Sequence, residues 1–458
     1  MKVDRQNLML TEKNLYKAFI ILATPVFLAG MLNSVHDLVD TYFIGQIESS
    51  VSAQAAISIS WPIINLILAF NAGLAISGIS IISRLVGAGK WIDAKKYAGT
   101  LLIFAIGLAM VLNVLLYVSA PSILHIIGAE GEVFNCALTY MRIRSFELYS
   151  LFIVSVFQAV RHSTGDTVVP VSFSIGAVII NIILTYIFVA KLGMGIGGAA
   201  LSTLLGQVAM SPFILILIFK PSDYIFIPRK YLRIEKKYLS EIIKVAMPAA
   251  LGQAFSALGF LVLNAVILDY GSAVVAGFSN GNKISSLILM PIIALSGVET
   301  AYISQNIGAN NLKRGYDAYK TAKILTILIS LGGGLLCFPL TKLFATTLSN
   351  DPDVIAISIE YMRIMLIFQF FVGLFQNYLG AYNGCEKTMY SMIISSARLW
   401  VIRLPLILIL KMYTDMGRYG IWTAMMVSNV LIVVVGHLYF RNTVIFKNRK
   451  LNDSQVNM

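Results

Sequence analysis

Asp40 stands inside a long apolar stretch that begins near Lys17, where lipid would penalise a charge, and His36 precedes it by one helical turn. A carboxylate deep in a spanning helix costs about 2.5 to 3.5 kcal/mol on insertion scales, so it persists where it faces a polar cavity, a partner or an ion. If Asp40 lies instead toward the outer helix end, its side chain could snorkel to water. Asp37, one turn earlier, reads as a residue of the aqueous mouth, and His36 could pair with Asp40 or simply sit at the interface. A second polar set, Gln253, Lys283, Glu299, Gln376, Asn377 and Arg403, falls inside or beside apolar stretches in the other half of the chain. Lys283 and Glu299 are about 24 Å apart along one helix, so each must find water, substrate or another helix. These six are the candidates for a substrate cavity. Lys283 and Arg403 could equally be structural or snorkelling cations, and Gln253, Gln376 and Asn377 could bridge helices.

The elements that must carry these groups are membrane helices. The 458 residues are 58% hydrophobic and 12% charged, with mean hydropathy +0.80, far from the roughly 25% charge of a soluble domain. Twelve apolar stretches are expected to span, near 15–44, 52–82, 97–120, 138–161, 168–190, 196–219, 240–267, 274–305, 321–345, 357–382, 391–412 and 419–440. Each can cross about 30 Å of hydrocarbon at 1.5 Å per residue. The expected class is therefore all-α and polytopic.

The net charge of +13 is distributed over alternate loops. Lys2, Arg5, Lys13 and Lys17 precede the first span, Arg84, Lys90, Lys95 and Lys96 follow the second, and Lys220, Arg229, Lys230, Arg233, Lys236 and Lys237 join the halves. Lys313, Arg314, Lys320 and Lys323 follow the eighth, and Arg441, Lys447, Arg449 and Lys450 the last. By the positive-inside rule both termini face the cytoplasm, and no base-stacking platform accompanies the charge, so nucleic acid is not the expected partner. The N-terminus lacks the pattern of a cleavable signal, which leaves the first span as an uncleaved one. Cys136, Cys337 and Cys385 give no metal spacing or disulfide framework. The four scattered histidines suggest no metal site, so neither cofactor nor resident metal is expected.

The chain also repeats itself. Tyr140-Met141-Arg142-Ile143 returns as Tyr361-Met362-Arg363-Ile364, and Ile82-Ser83 with Gly87-Ala88 returns at the same offset as Ile303-Ser304 with Gly308-Ala309. Ala23-Thr24-Pro25 is echoed by Ala246-Met247-Pro248, and Phe157-Gln158 by Phe375-Gln376. Repeats of this kind mark transporters. An even number of spans per copy makes the two repeats parallel. The expected organisation is a six-helix lobe over 1–222, a linker over 223–238, a second six-helix lobe over 239–445 and a polar cytoplasmic tail over 446–458, with the lobes meeting around a central cavity and rocking to give alternating access. Pro25, Pro248 and Pro291 inside spans favour bends.

Pro25 with Val39-Asp40-Thr41, Arg84 with Gly87-Ala88-Gly89, Thr164-Gly165-Asp166-Thr167 with Pro170, Asn181, Gly198 to Thr203, and Ser304 to Ala309 occur in an order that resembles the multidrug and toxic compound extrusion family over nearly the whole chain. The resemblance implies a V-shaped pair of lobes and a monomeric plasma-membrane antiporter, which exports small organic compounds while sodium ions or protons enter. It implies a cation site at the positions of Asp40, Asn181 and Thr203, with Thr185 where many relatives carry a second carboxylate. An Asp carboxylate, an Asn carbonyl and Thr hydroxyls are hard oxygen donors of the kind sodium accepts, whereas burial could let Asp40 carry a proton instead. The alternative is a lipid-linked oligosaccharide flippase holding pyrophosphate at Lys283 and Arg403. A membrane enzyme is disfavoured by the lack of a nucleophile, base and metal constellation. A nucleotide-driven pump is disfavoured because Gly87-Ala88-Gly89-Lys90 is too short to cradle phosphate. Asp40→Asn, which removes the charge and nearly keeps the volume, is expected to abolish gradient-driven export in proteoliposomes with membrane insertion intact. Export at the parent rate would remove Asp40 from the mechanism.

Overall fold

The computed structural model describes residues 5–45, 47, 50–221 and 225–447, apart from the side chains of 5–7, 37, 38, 41 and 50. The Asp37 side chain, linker residues 223 and 224, and tail residues 448–458 lie outside the described part. The helices are α1 (Arg5–Thr11), α2 (Leu15–Gly45), α3 (Ser50–Gly87), α4 (Trp91–Ile127), α5 (Gly131–His162), α6 (Val168–Thr185), α7 (Gly195–Phe219) and α8 (Lys236–Leu268), then α9 (Ser272–Gly308), α10 (Leu312–Cys337), α11 (Thr341–Leu348), α12 (Pro352–Gly384), α13 (Thr388–Ser396), α14 (Leu404–Tyr413) and α15 (Arg418–Phe440). Two π-helical segments interrupt this order: Tyr186–Lys191 continues α6, and Ala397–Arg403 joins α13 to α14. Among the described residues twelve helical spans are long and apolar enough to cross a membrane, α13 and α14 counting as one. No strand occurs among them. In hydrocarbon only structures that satisfy every backbone group internally survive.

Local chemistry sets the helix ends. Asn311 caps α10 by accepting from Arg314 N, and Asp351 caps α12 by accepting from Asp353 N at 2.8 Å, with Pro352 opening the helix. Gly128 closes α4 at φ +82°, a left-handed position that glycine adopts without strain.

By its contacts the chain divides into two compact units, with the changes at Asn7/Leu8, Phe27/Leu28 and Ala250/Leu251, inside α1, α2 and α8. The first unit holds Leu28–Ala250 together with the described residues before Leu8. Here α5 is central, packed on α3, α4 and α7, and Tyr97, Phe152 and Phe157 are buried in its core. The described part of the linker is sealed against this unit: Ile225 and Ile227 are buried, Thr100 donates to the Arg233 carbonyl at 3.0 Å, and Tyr238 donates to Asp93 at 2.9 Å. The turn between α5 and α6 accounts for the Thr164-Gly165-Asp166-Thr167 motif. Gly165 sits at φ +83°, and Asp166 pairs with Arg161 at 3.4 Å while accepting from Val169 N at 3.1 Å. That turn sets where α6 starts, and so where its polar residues fall.

The second unit holds Leu8–Phe27 and the chain from Leu251 onward. Arg314 donates to the carbonyls of Met9 and Glu12, and Asn306 also donates to Met9 O, which docks the end of α1 on α9 and α10. The main pairing is α9 with α12. Gly277 and Gly281, one turn apart on α9, admit Ile357 and Tyr361 of α12; a methyl at Gly277 would lie 2.6 Å from Ile357, and one at Gly281 would overlap the Tyr361 ring. Small residues at this spacing let membrane helices approach closely, where van der Waals contact drives association. Gly281→Ala is therefore expected to lower the unfolding temperature of the purified protein by several degrees, an overpacking cost of ~1–3 kcal/mol. Gly297→Ala, on the same helix with nothing within 4 Å, should leave it unchanged or raise it, since Ala outranks Gly in helices. Equal effects of the two would contradict this packing.

Candidate functional site

In the first unit, α2, α6 and α7 bring four of the expected residues together. Thr185 Oγ1 lies 3.2 Å from Asp40 Oδ1 and 3.5 Å from Asn181 Oδ1, and Asn181 Nδ2 donates to Thr203 Oγ1 at 3.2 Å. Ser202 joins them, 2.7 Å from Thr185 Oγ1, while its own proton goes to the Ala199 carbonyl at 2.8 Å. His36 Nε2 stands 3.4 Å from the second Asp40 oxygen. Asn181, Thr185 and Ser202 are buried. The approach of α6 and α7 that allows this depends on Gly206, where a Cβ would stand 2.8 Å from the Ala177 carbonyl and 3.1 Å from Asn181 Cβ. Thr185 is also the last residue of α6 before the π-helical segment, a local change of helical register that recurs at functional sites.

Beside these residues lies a cavity of about 340 Å³ lined by His36, Asp40, Tyr140, Arg144, Glu147 and Thr203, among others. Glu147, 3% exposed, is a second carboxylate in this cavity. It comes from α5 and not from α6, where Thr185 stands. Arg144 Nε lies 2.9 Å from Glu147 Oε2, an ion pair without the alignment of a linear hydrogen bond. Neither Arg144 nor Glu147 was singled out from the sequence. The signal was there: positions 140, 144 and 147 are spaced i, i+4, i+7, on one helical face.

In the second unit the six expected cavity residues separate. Gln253, Gln376 and Arg403 line a cavity of about 260 Å³. Glu299 and Asn377 do not: both are buried, and Asn377 Nδ2 donates to Glu299 Oε1 at 2.9 Å, so this pair bridges α9 and α12. Lys283 is exposed on α9 and does not line the cavity, because its position on the helix turns it away from the α12 seam. A pyrophosphate clamp of Lys283 with Arg403 therefore does not form, and the flippase alternative loses the geometry it required. The cation that accompanies Arg403 at the cavity is Arg398. Both lie in the π-helical segment Ala397–Arg403. Five residues apart on an α-helix they would diverge by roughly 140°, whereas a segment with i→i+5 bonding brings them back toward one face.

Comparison with known proteins agrees with the internal repeat and the fold. The MatE family model matches residues 25–187 and again 248–409, two copies that correspond to the internal repeat. The chain is 26% identical over 434 residues to "Probable multidrug resistance protein NorM" of Thermotoga maritima, covering 93% of this chain and 92% of that one. It is 28% identical over 406 residues to the "FAD transporter" of Shewanella oneidensis, covering 86% and 87%. A crystal structure of MATE in the straight conformation superposes with TM-score 0.90 at 23% identity, covering 96% of this chain and 98% of that one, which shows the fold. With the family model matched across both halves, the chain belongs to the MatE family of multidrug efflux transporters, multi-pass membrane proteins that are not enzymes.

Proposed function

We propose that the chain exports small organic compounds in exchange for a monovalent cation, sodium or a proton, bound at Asp40, Asn181, Thr185 and Thr203. The observation that carries this reading is the convergence of oxygens on Thr185, whose single hydroxyl proton cannot serve them all. Thr185 has one hydroxyl proton and three oxygens within reach, those of Asp40, Asn181 and Ser202. Ser202 and Thr203 both direct their protons to the Ala199 carbonyl, and the Asn181 amide group is turned to Thr203. A cation among these oxygens would complement what one hydroxyl proton can give. Sodium would be held by Asp40 Oδ1, Asn181 Oδ1 and the Thr185 hydroxyl oxygen, whereas a proton would sit on Asp40 and donate to a neighbour. The oxygen cage favours sodium, since a proton needs only one acceptor.

The other features of the reading have separate support. The names of the Thermotoga and Shewanella relatives refer to drugs and to a flavin dinucleotide, which supports an organic cargo. Alternate basic loops support a plasma-membrane orientation with cytoplasmic termini. A monomer is in keeping with two repeats in one chain.

The coupling ion is tested by transport in proteoliposomes under separately imposed sodium and pH gradients. Thr185→Ala should weaken sodium dependence if sodium is the ion and leave proton-driven export near the parent rate if it is not. Equal sodium dependence in parent and variant would remove Thr185 from the ligand set, and no sodium dependence in either would eliminate sodium. The Arg144 and Glu147 pair yields a second prediction. Arg144→Met alone strands a buried carboxylate, at a cost of about 3–5 kcal/mol, so it should markedly lower the unfolding temperature. Adding Glu147→Gln should restore most of the loss. A double variant as unstable as the single one would show that the pair does not act as a unit.

A further inference from the structure

The cavity of the second unit holds two guanidinium groups and no carboxylate. Arg398 and Arg403 line it, 9% and 2% exposed, and none of its lining residues is Asp or Glu. Arg403 donates through Nε to Ser428 Oγ at 2.9 Å and through Nη2 to Asn429 Oδ1 at 2.7 Å. Both acceptors are neutral, so they orient the group and leave its charge uncompensated. Arg398 lies with its guanidinium 4.2 Å over the Phe375 ring, and its Nε has no hydrogen-bond partner. Lys411 pairs with Asp269 and Arg418 with Glu360 in this unit, and neither pair includes Arg398 or Arg403.

Burying a guanidinium without an anion is costly, and a purely structural arginine in a spanning helix is ordinarily paired. Two such groups turned to one face by a π-helical segment double that cost. The planar fork of arginine matches the oxygens of phosphate and carboxylate. Phe260, Tyr361 and Phe375 supply aromatic wall, and Gln253 and Gln376 supply neutral polar contacts. We infer that this cavity binds a soluble aromatic organic anion, its phosphate or carboxylate held by Arg398 and Arg403 and its rings against the aromatic wall. The inference deepens the export reading by naming a class of cargo. It rests on that reading only for what happens after binding.

The test is equilibrium binding to the full chain in phosphatidylcholine nanodiscs, with no ion gradient. Flavin mononucleotide and riboflavin, which share a ring system and differ by the phosphate, serve as the probes. The mononucleotide should bind at least roughly tenfold more tightly, the scale of a charge-assisted contact. Arg398→Gln should remove that preference and leave riboflavin affinity within about twofold, and Arg398→Lys should keep part of it. Arg398 donates no hydrogen bond to the protein, so its replacement breaks none and costs its contact with the Phe375 ring. Absence of a phosphate preference in the parent overturns the inference, as does an unchanged preference in Arg398→Gln or equal weakening of both flavins, which would mark a packing role. Displacement of the mononucleotide by phosphatidylglycerol in the nanodisc would assign the cavity to a lipid headgroup and overturn the soluble cargo. Phosphate-selective binding without transport counts against the export reading alone, and transport without phosphate selectivity counts against this inference alone.

Discussion

Around Thr185 a single hydroxyl proton faces the oxygens of Asp40, Asn181 and Ser202 at 3.2, 3.5 and 2.7 Å. In water the missing donors would come from solvent. Between spanning helices they must come from the protein, from water in the adjoining cavity or from a ligand, because unsatisfied polar groups in a low-dielectric interior cost free energy. The first unit is arranged to keep this deficit in place. Gly206 lets α6 and α7 approach until Asn181 reaches Thr203, and the Gly165 turn with its Arg161 and Asp166 pair sets the start of α6. Glu147, from α5, already has Arg144 beside it, so the charge left for a mobile cation to neutralise is chiefly that of Asp40, with His36 the group at its second oxygen.

The second unit presents the complementary problem. Where the first unit lacks protons, its counterpart has an excess of them: two guanidinium groups with neutral partners and aromatic neighbours. A π-helical segment lies beside each cluster, at Tyr186–Lys191 and at Ala397–Arg403, on corresponding spans of the two repeats. The extra residue per turn shifts side chains off the regular helical faces. One repeated architecture thus offers an oxygen-rich site in one copy and a cationic one in the other, and division of labour between ion and cargo follows from which residues each copy carries.

The all-α class and the twelve spans were legible because an apolar run of about twenty residues is the length that crosses hydrocarbon, and shorter runs suffice for a buried core. Asp40, Asn181, Thr185 and Thr203 could be named from an order of motifs, and the geometry brings them within hydrogen-bonding reach. Ser202 was hidden beside Thr203, since neither residue type nor hydropathy separates the two. Glu147 and Arg144 carried a spacing signal that went unused. Arg398 carried a misleading one: with Arg403 it falls on different faces under α-helical periodicity, and only the π-helical segment reunites them. Lys283, Glu299 and Asn377 were grouped with the cavity because polar residues in spans demand partners. Asn377 gives Glu299 one hydrogen bond and leaves its Oε2 without a partner, and Lys283 is exposed, outcomes that depend on packing between helices distant in sequence.

In an antiporter, movement of cargo and movement of a cation are one process. It is tested most directly by loading proteoliposomes with a transported organic compound, imposing no ion gradient, and following radioactive sodium and lumenal pH together as the compound leaves. Cargo efflux is expected to drive uptake of one of these two cations to a level above that outside, with no such uptake in vesicles lacking the compound. Efflux of the compound with neither cation moving would contradict it.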